Sequence, residues 1–431
     1  MAQTFKFGKG TWANKKGSTL AYNDENENYK PLPFNFTRAS IATRVNKAGL
    51  IEVVGNDQPR IDYTDSSEGV LLLENAATNK FIYSNQFDTN WITSQGSLLS
   101  GQTGVGGSLD AWKFTDNTST GEHFVRQTPS VGGVVSISVY AKAGTNDFLY
   151  LRGVASGVNV RTWFNLKTGV VGTIQSTSAI MKSMGNGWYR CTMVFTHDTA
   201  FEYYIAMSNA DGVSSYQGDG TGSIFIQYAQ LEQTSLPTSY IPTNGSAVTR
   251  SAETCNGSGN SEVFNDSEGV LFANVASLSQ VGTSRVIASL SNGSSTANRL
   301  VLQYTNSASG NEIVAFAQAT SYSSVLTRSI PNSTLYGKFA LKYSDVNNTI
   351  DLYLNGFNIG TGTWNYNFPT NSLNKIQLAD ANSTGNPLFG KTKEIGYYNT
   401  ALTDAELETL TSYRNWVTMV NELNLNIIYN G

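Results

Sequence analysis

Short runs in which apolar and polar residues alternate recur along most of this chain, and that period of two limits its fold more than any other feature. Successive side chains of a strand point to opposite faces, so such a run gives one packed face and one wet face. Between residues 66 and 245 the runs suited to strands, several of them alternating, include Val70-Leu-Leu-Leu73, Val134-Val-Ser-Ile-Ser-Val-Tyr140, Phe148-Leu-Tyr-Leu151, Val160-Arg-Thr-Trp-Phe164, Trp188 to Phe195, Glu202-Tyr-Tyr-Ile-Ala-Met207 and Ser223-Ile-Phe-Ile-Gln-Tyr228. Clusters of Gly, Asn, Asp and Ser separate them, and no helical pattern intervenes. This spacing predicts a β-sandwich or jelly roll.

The same texture returns from residue 263 onward, in Val270-Leu-Phe272, Arg285 to Leu290, Arg299 to Tyr304, Glu312 to Phe316, Gly337 to Tyr343 and Ile350 to Leu354. Asn355-Gly356 is a hairpin signal, because both residues tolerate positive φ. A single short helix is expected near the C-terminus, with Thr403 as N-cap and Glu406 completing a capping box. The Gly/Ser/Asn-rich stretch 246–262 reads as a linker. Residues 1–65 show little periodicity, carry an acidic run from Asn23 to Asn28, and contain Lys30-Pro-Leu-Pro-Phe34, which the prolines keep extended. The expected organisation is all-β: an extended anchoring arm (1–65), a jelly roll (66–245), the linker (246–262) and a second sandwich (263–431). Phe5, Phe7, Trp12, Tyr22 and Phe34 are the expected anchoring residues. Ser67-Glu-Gly-Val-Leu71 recurs as Ser267-Glu-Gly-Val-Leu271, as if each sandwich opened with the same strand entry.

Composition narrows the function. Charged residues make up 14% of the chain and the net charge is −4, which gives no general attraction to nucleic acid or to an anionic membrane surface. No apolar run approaches membrane-spanning length, so membrane insertion is not expected. Met1-Ala-Gln-Thr-Phe-Lys6 lacks the apolar core of a signal peptide, so synthesis in a cytoplasm is expected. The two cysteines, Cys191 and Cys255, read as free thiols more readily than as a disulfide.

Phe36-Thr-Arg-Ala-Ser-Ile-Ala-Thr-Arg-Val-Asn46, Gly49 to Val54, Pro59-Arg-Ile-Asp-Tyr63, Val70 to Glu74 and Thr78-Asn79 together resemble the entry sequence of bacteriophage virion appendage proteins of the head-fibre and tail-fibre kind. Gln230-Leu-Glu-Gln233 followed by Thr238-Ser-Tyr-Ile-Pro-Thr243 and Thr249-Arg250 resembles the exit of a carbohydrate-binding-module jelly roll, and residues 338–344, 351–356, 393–398 and 401–407 resemble concanavalin A-like or laminin-G-like lectin domains. The resemblance implies a virion subunit made in the cytoplasm of a host bacterium. It also implies contacts with capsid or tail proteins, a homo-oligomer, usually a trimer, and host-surface glycans as ligands.

Residues suited to catalysis are sparse. His123 and His197 are the only histidines, and neither adjoins a nucleophile elbow. Glu202, Glu232, Glu312 and Glu394 stand apart in the sequence, without the paired carboxyls of a glycosidase, so no enzyme is expected; a tailspike depolymerase and a purely structural virion subunit are the alternatives. Sugar recognition rests on aromatic faces and planar polar groups, for which Trp364, Tyr366, Asn367, Tyr322 and Tyr216 are the candidates. No cofactor is expected beyond a structural Ca²⁺. The Gly-rich loop bearing Asp211 and Asp219 offers the hard oxygens that Ca²⁺ takes, and equally reads as a plain turn.

Overall fold

The computed structural model describes residues 3–23, 29–197, 202–279, 284–307, 310–320, 322–381 and 385–425. Strands dominate them, with only two short helices, α1 (Asp404–Thr411) and α2 (Trp416–Glu422). No helix among the described residues is long and apolar enough to cross a membrane. Of the acidic run Asn23 to Asn28, residues 24–28 lie outside the described residues. The chain divides into two compact units. Unit 1 gathers Met1–Ala39, Gly55–Asn75 and Ala252–Gly431; unit 2 comprises Ser40–Val54 and Ala76–Ser251.

Unit 2 is a sandwich of two six-stranded antiparallel sheets. One runs in the order Ile92–Ser94, His123–Gln127, Tyr203–Ser208, Phe148–Ala155, Val158–Asn165, Val170–Ile174, and the other contains Ala111–Asp116, Gly133–Ala143, Trp188–His197 and Ser223–Glu232. Leu149, Leu151, Phe164 and Ile205 from the first sheet meet Ile137, Val139, Met193, Phe195 and Ile226 from the second in one core. The Gln230-Leu-Glu232 motif latches the chain's exit. Gln230 Oε1 accepts from the Ile241 N–H at 2.7 Å, Glu232 accepts from the Thr238 N–H and hydroxyl at 2.9 and 2.6 Å, and Tyr240 stacks on Tyr228 at 4.3 Å.

Unit 1 corrects the expected domain plan. Phe5–Gly8 is a strand paired with Gly390–Tyr398, and Lys30–Thr37 lies between Ser18–Asn23 and Thr254–Ser258. Leu32, Phe34 and Phe36 point inward while Pro31 and Pro33 point out, where that strand has a neighbour on one side only. Phe5, Phe7 and Phe34 are wholly buried in the core beside Phe264, Leu271, Ile395 and Tyr397. Each contributes about 1.5–3 kcal/mol by that burial. These residues fill a core, so the described residues of the expected anchoring arm are built into compact units instead of extending from them. Trp12 and Tyr22 are half-buried, Trp12 edge-on to Phe7 at 5.4 Å with its N–H on the Glu68 carbonyl.

The expected linker is also strand. Val248–Arg250 pairs with Ala77–Asn79 in unit 2, while Thr254–Ser258 pairs with Lys30–Thr37 in unit 1, burying Cys255. Polar, Gly-rich composition does not prevent pairing where a partner strand is already laid down. Both copies of the Ser-Glu-Gly-Val-Leu echo serve one sheet: Val70–Leu73 and Glu268–Ser277 flank the same strand, Gly390–Tyr398. They do not open two separate sandwiches. The capping box of α1 forms as expected, whereas α2, capped by Asn415, had no recognised signal. Both cysteines are buried free thiols, in different units.

A buried ionic cluster joins the three stretches of unit 1. Arg38 Nη1 lies 2.7 Å from Glu253 Oε1, Arg60 Nε donates to the same oxygen at 2.8 Å, and Arg60 Nη2 bonds both Glu253 and, at 2.8 Å, Glu74. Burial alone would favour a neutral Arg60, but Glu253 and Glu74 hold its guanidinium protonated above the ordinary range. Arg38 and Glu74 are each the second-to-last residue of a stretch, Glu253 is the second of its own, and Gly55, which opens the middle stretch, accepts from Arg38 through its carbonyl.

Candidate functional site

A broad concavity in unit 1 lies over one sheet face. Because Phe5, Phe7, Leu271, Ala273, Phe339, Leu341, Ile395 and Tyr397 turn into the core, alternation sends Lys6, Phe272, Asn274, Lys338, Glu394 and Gly396 to the opposite face. Register aligns them in two cross-strand rows. Glu394, Asn274 and Lys338 are successive partners across three strands, and Lys6, Gly396, Phe272 and Ala340 form the row beside them. The loop Asp65–Glu68, the end of α1 and the polar face of α2 wall this floor into a groove of about 930 Å³, within the usual range of ligand sites.

Its electrostatics are mixed and tightly held. Burial pushes the Glu394 carboxyl above the ordinary value, against the pull of Lys9, whose Nζ is 3.8 Å away, and of Lys6 and Lys338. Burial likewise lowers Lys338, which donates to the Ser412 carbonyl at 2.9 Å and lies 4.5 Å over the Tyr413 ring. Lys393 pairs with Glu422 at 3.0 Å. Within this frame Gln3 Nε2, Asn274 Oδ1 and Glu422 Oε2 are buried with no hydrogen-bond partner among the described residues. Gln3 and Asn274 are each 7% exposed. A buried polar atom left unpaired costs about 1–3 kcal/mol. Gly396 makes room for Gln3, since a Cβ there would collide with its amide. Gln3, Asn274 and Glu422 line the groove together with the apolar surfaces of Phe272, Tyr398 and Leu410.

None of the residues singled out from the sequence for sugar contact lines this groove. Trp364 is fully buried against Phe368, and Tyr216 is buried with its hydroxyl 3.2 Å from Asp116 and its ring 4.4 Å from His123. Tyr322 and Tyr366 stack nearly parallel at 4.9 Å, with Tyr366 and Asn367 exposed beside them. Asp211 accepts from the Thr173 N–H and hydroxyl, and Asp219 from Thr221 and Gly222 of its own turn. The two serve different turns, and no group of three or more His, Cys, Asp or Glu that could hold a metal is gathered among the described residues. Alternation in Lys393-Glu-Ile-Gly-Tyr-Tyr398 could have put Glu394 on an outer face. Nothing in the sequence says that Gln3 and α2 would close over it.

No protein-family model and no curated protein matches the chain. Among solved structures, the carbohydrate-binding module CBM40 of the Ruminococcus gnavus IT-sialidase, bound to α2,3-sialyllactose, is 17% identical over 36% of this chain and 94% of its own, with a TM-score of 0.30. The leech intramolecular trans-sialidase is 18% identical over 37% of this chain and 27% of its own, with a TM-score of 0.30. A Bacteroides ovatus protein, provisionally described as carbohydrate binding, is 14% identical over 68% of this chain and 80% of its own, with a TM-score of 0.28. Overlap this slight assigns no ligand.

Proposed function

We propose that this chain is a glycan-binding protein without catalytic function, and that the groove of unit 1 holds the ligand. The observation that carries this reading is the pair of buried, unpaired amide atoms, Gln3 Nε2 and Asn274 Oδ1, beside the apolar surfaces of Phe272 and Tyr398. A sugar ring supplies what such a place lacks: hydroxyls that both donate and accept, and C–H faces that lie on apolar carbon. The test is binding of the full-length protein to a panel of neutral oligosaccharides, for wild type and Asn274→Leu. Loss of a ligand hydrogen bond at a buried amide should weaken binding at least tenfold. The same change removes an unpaired buried acceptor, so the melting temperature should hold or rise. Unchanged affinity in the variant would remove the groove from consideration.

The likeness of residues 36–79 to virion proteins supports a place for the chain on a phage particle, as a homo-oligomeric subunit touching capsid or tail proteins and host glycans. Its detection as a stoichiometric component of purified particles checks that placement. One observation favours a second reading, glycan hydrolysis: the raised Glu394 carboxyl shares its groove with Glu68 and Glu422. Release of reducing ends from an oligosaccharide, abolished in Glu394→Gln, would establish hydrolysis; binding without release supports the first reading.

A further inference from the structure

A second surface, wholly within unit 2, arranges charge in a way the sandwich itself does not need. On the outer face of the sheet containing Phe148–Ala155, four adjacent strands place Arg126, Tyr204, Arg152 and Arg161 directly opposite one another in a single cross-strand row. Their chain neighbours Val125, Ile205 and Leu151 face the core, so the row points outward. The parallel row on the same face, Phe124, Ala206, Tyr150 and Trp163, is covered: Trp163 Nε1 donates to the Val213 carbonyl at 2.9 Å and the Tyr150 hydroxyl to that of Ser214 at 3.3 Å. The arginine row is left reachable, with the Arg126 and Arg161 side chains 23% and 18% exposed.

Two glutamates are threaded between the three arginines. Glu202 bonds Arg126 and lies 3.5 Å from Arg152, while Glu122 bonds Arg152 at 2.8 Å and Arg161 at 2.9 Å. Arg152 also donates to Asn159 at 3.0 Å and stacks its guanidinium 4.0 Å over Tyr204. The row thus reads cation, anion, cation, anion, cation. Like charges directly opposite across strands are destabilising, and Arg152 faces Arg161 in that way. Among the described residues two carboxylates face three guanidiniums, and Arg161 Nε is buried with no hydrogen-bond partner among them.

We propose that this row binds a carboxylate-bearing sugar polymer, with the unspent guanidinium N–H groups taking the sugar carboxylates and Glu122 and Glu202 accepting its hydroxyls. Guanidinium and carboxylate match as planar, two-pronged partners. The alternation of sign selects a ligand that carries an anion and hydroxyl donors on each unit. A phosphate polymer, with charge at every link and few donors, meets repulsion from the two glutamates. At the row's edge Arg126 faces Ile92, which is 52% exposed and gives apolar surface for ring C–H groups. Four inter-strand steps from Ile92 to Arg161 span roughly 19 Å, enough for a short oligosaccharide.

The test is calorimetric titration of the full-length protein with oligogalacturonate and with the same oligosaccharide fully methyl-esterified, which removes the charge and keeps the ring. The acid should bind, its affinity falling as salt rises, and the ester should bind at least tenfold more weakly. Arg161→Gln should weaken the acid tenfold or more while Asn274→Leu leaves it unchanged, which separates this site from the groove of unit 1. Should Arg161→Gln fail to fold, Arg126→Gln carries the same expectation. Equal binding of acid and ester, equal binding of dextran sulfate, or loss of acid binding in Asn274→Leu but not in the arginine variants would overturn the proposal.

Discussion

The side chains that hold this protein in its fold are in several cases charged. Glu253 accepts from both Arg38 and Arg60 in a fully buried setting, so removing it takes a carboxylate from two buried guanidiniums and leaves Glu74 to Arg60. Glu253→Ala should cost about 3–5 kcal/mol, measured as a shift of the urea midpoint at constant slope. Glu394 makes the opposite case. Its carboxyl is raised above 4.5 by burial, so folding favours the protonated form. That contribution is complete below the unfolded-state value and is lost as pH rises through the raised one. Glu394→Gln should therefore be more stable than wild type at pH 7, with the difference shrinking towards pH 4, in urea unfolding at both. The thiols of Cys191 and Cys255, pushed up by burial, should resist thiol reagents until the protein unfolds.

At the scale of elements, the alternating pattern was readable strand by strand but its partners were not. Lys30-Pro-Leu-Pro-Phe34 looked extended for a local reason, its prolines, and is extended; what the prolines did not reveal is that Leu32, Phe34 and Phe36 sit in the core of a module built mostly of residues more than 200 positions away. Deleting residues 1–10 removes Phe5 and Phe7 and uncovers one edge of Gly390–Tyr398. Unit 1 should then lose cooperative unfolding, seen as loss of near-ultraviolet dichroism, whereas a free arm would be dispensable. The helix signal was complete for α1, because a capping box is written in four consecutive residues. Thr403→Ala should cost about 0.5–2 kcal/mol. The groove was half legible: alternation fixed which way Glu394 and Asn274 point, while the side chains above them come from both ends of the chain.

At the scale of the whole molecule, unit 1 is discontinuous and unit 2 nearly continuous. Both six-stranded sheets of unit 2 are complete within residues 76–251, so that fragment should fold by itself, with dispersed amide resonances. Residues 263–431 lack Phe5–Gly8, Ser18–Asn23, Lys30–Thr37 and Val70–Leu73, and should remain unfolded despite matching the boundary that the sequence suggested. What the amino acids determined unaided was the kind of structure: a period of two fixes strand and face, since the Cβ atoms of an extended backbone alternate whatever lies beside them. What only the tertiary structure decided was adjacency. Register between strands far apart in sequence put three arginines in one row and Asn274 on the floor of a groove, and backbone pairing, which every strand offers alike, carries no local mark of its partner.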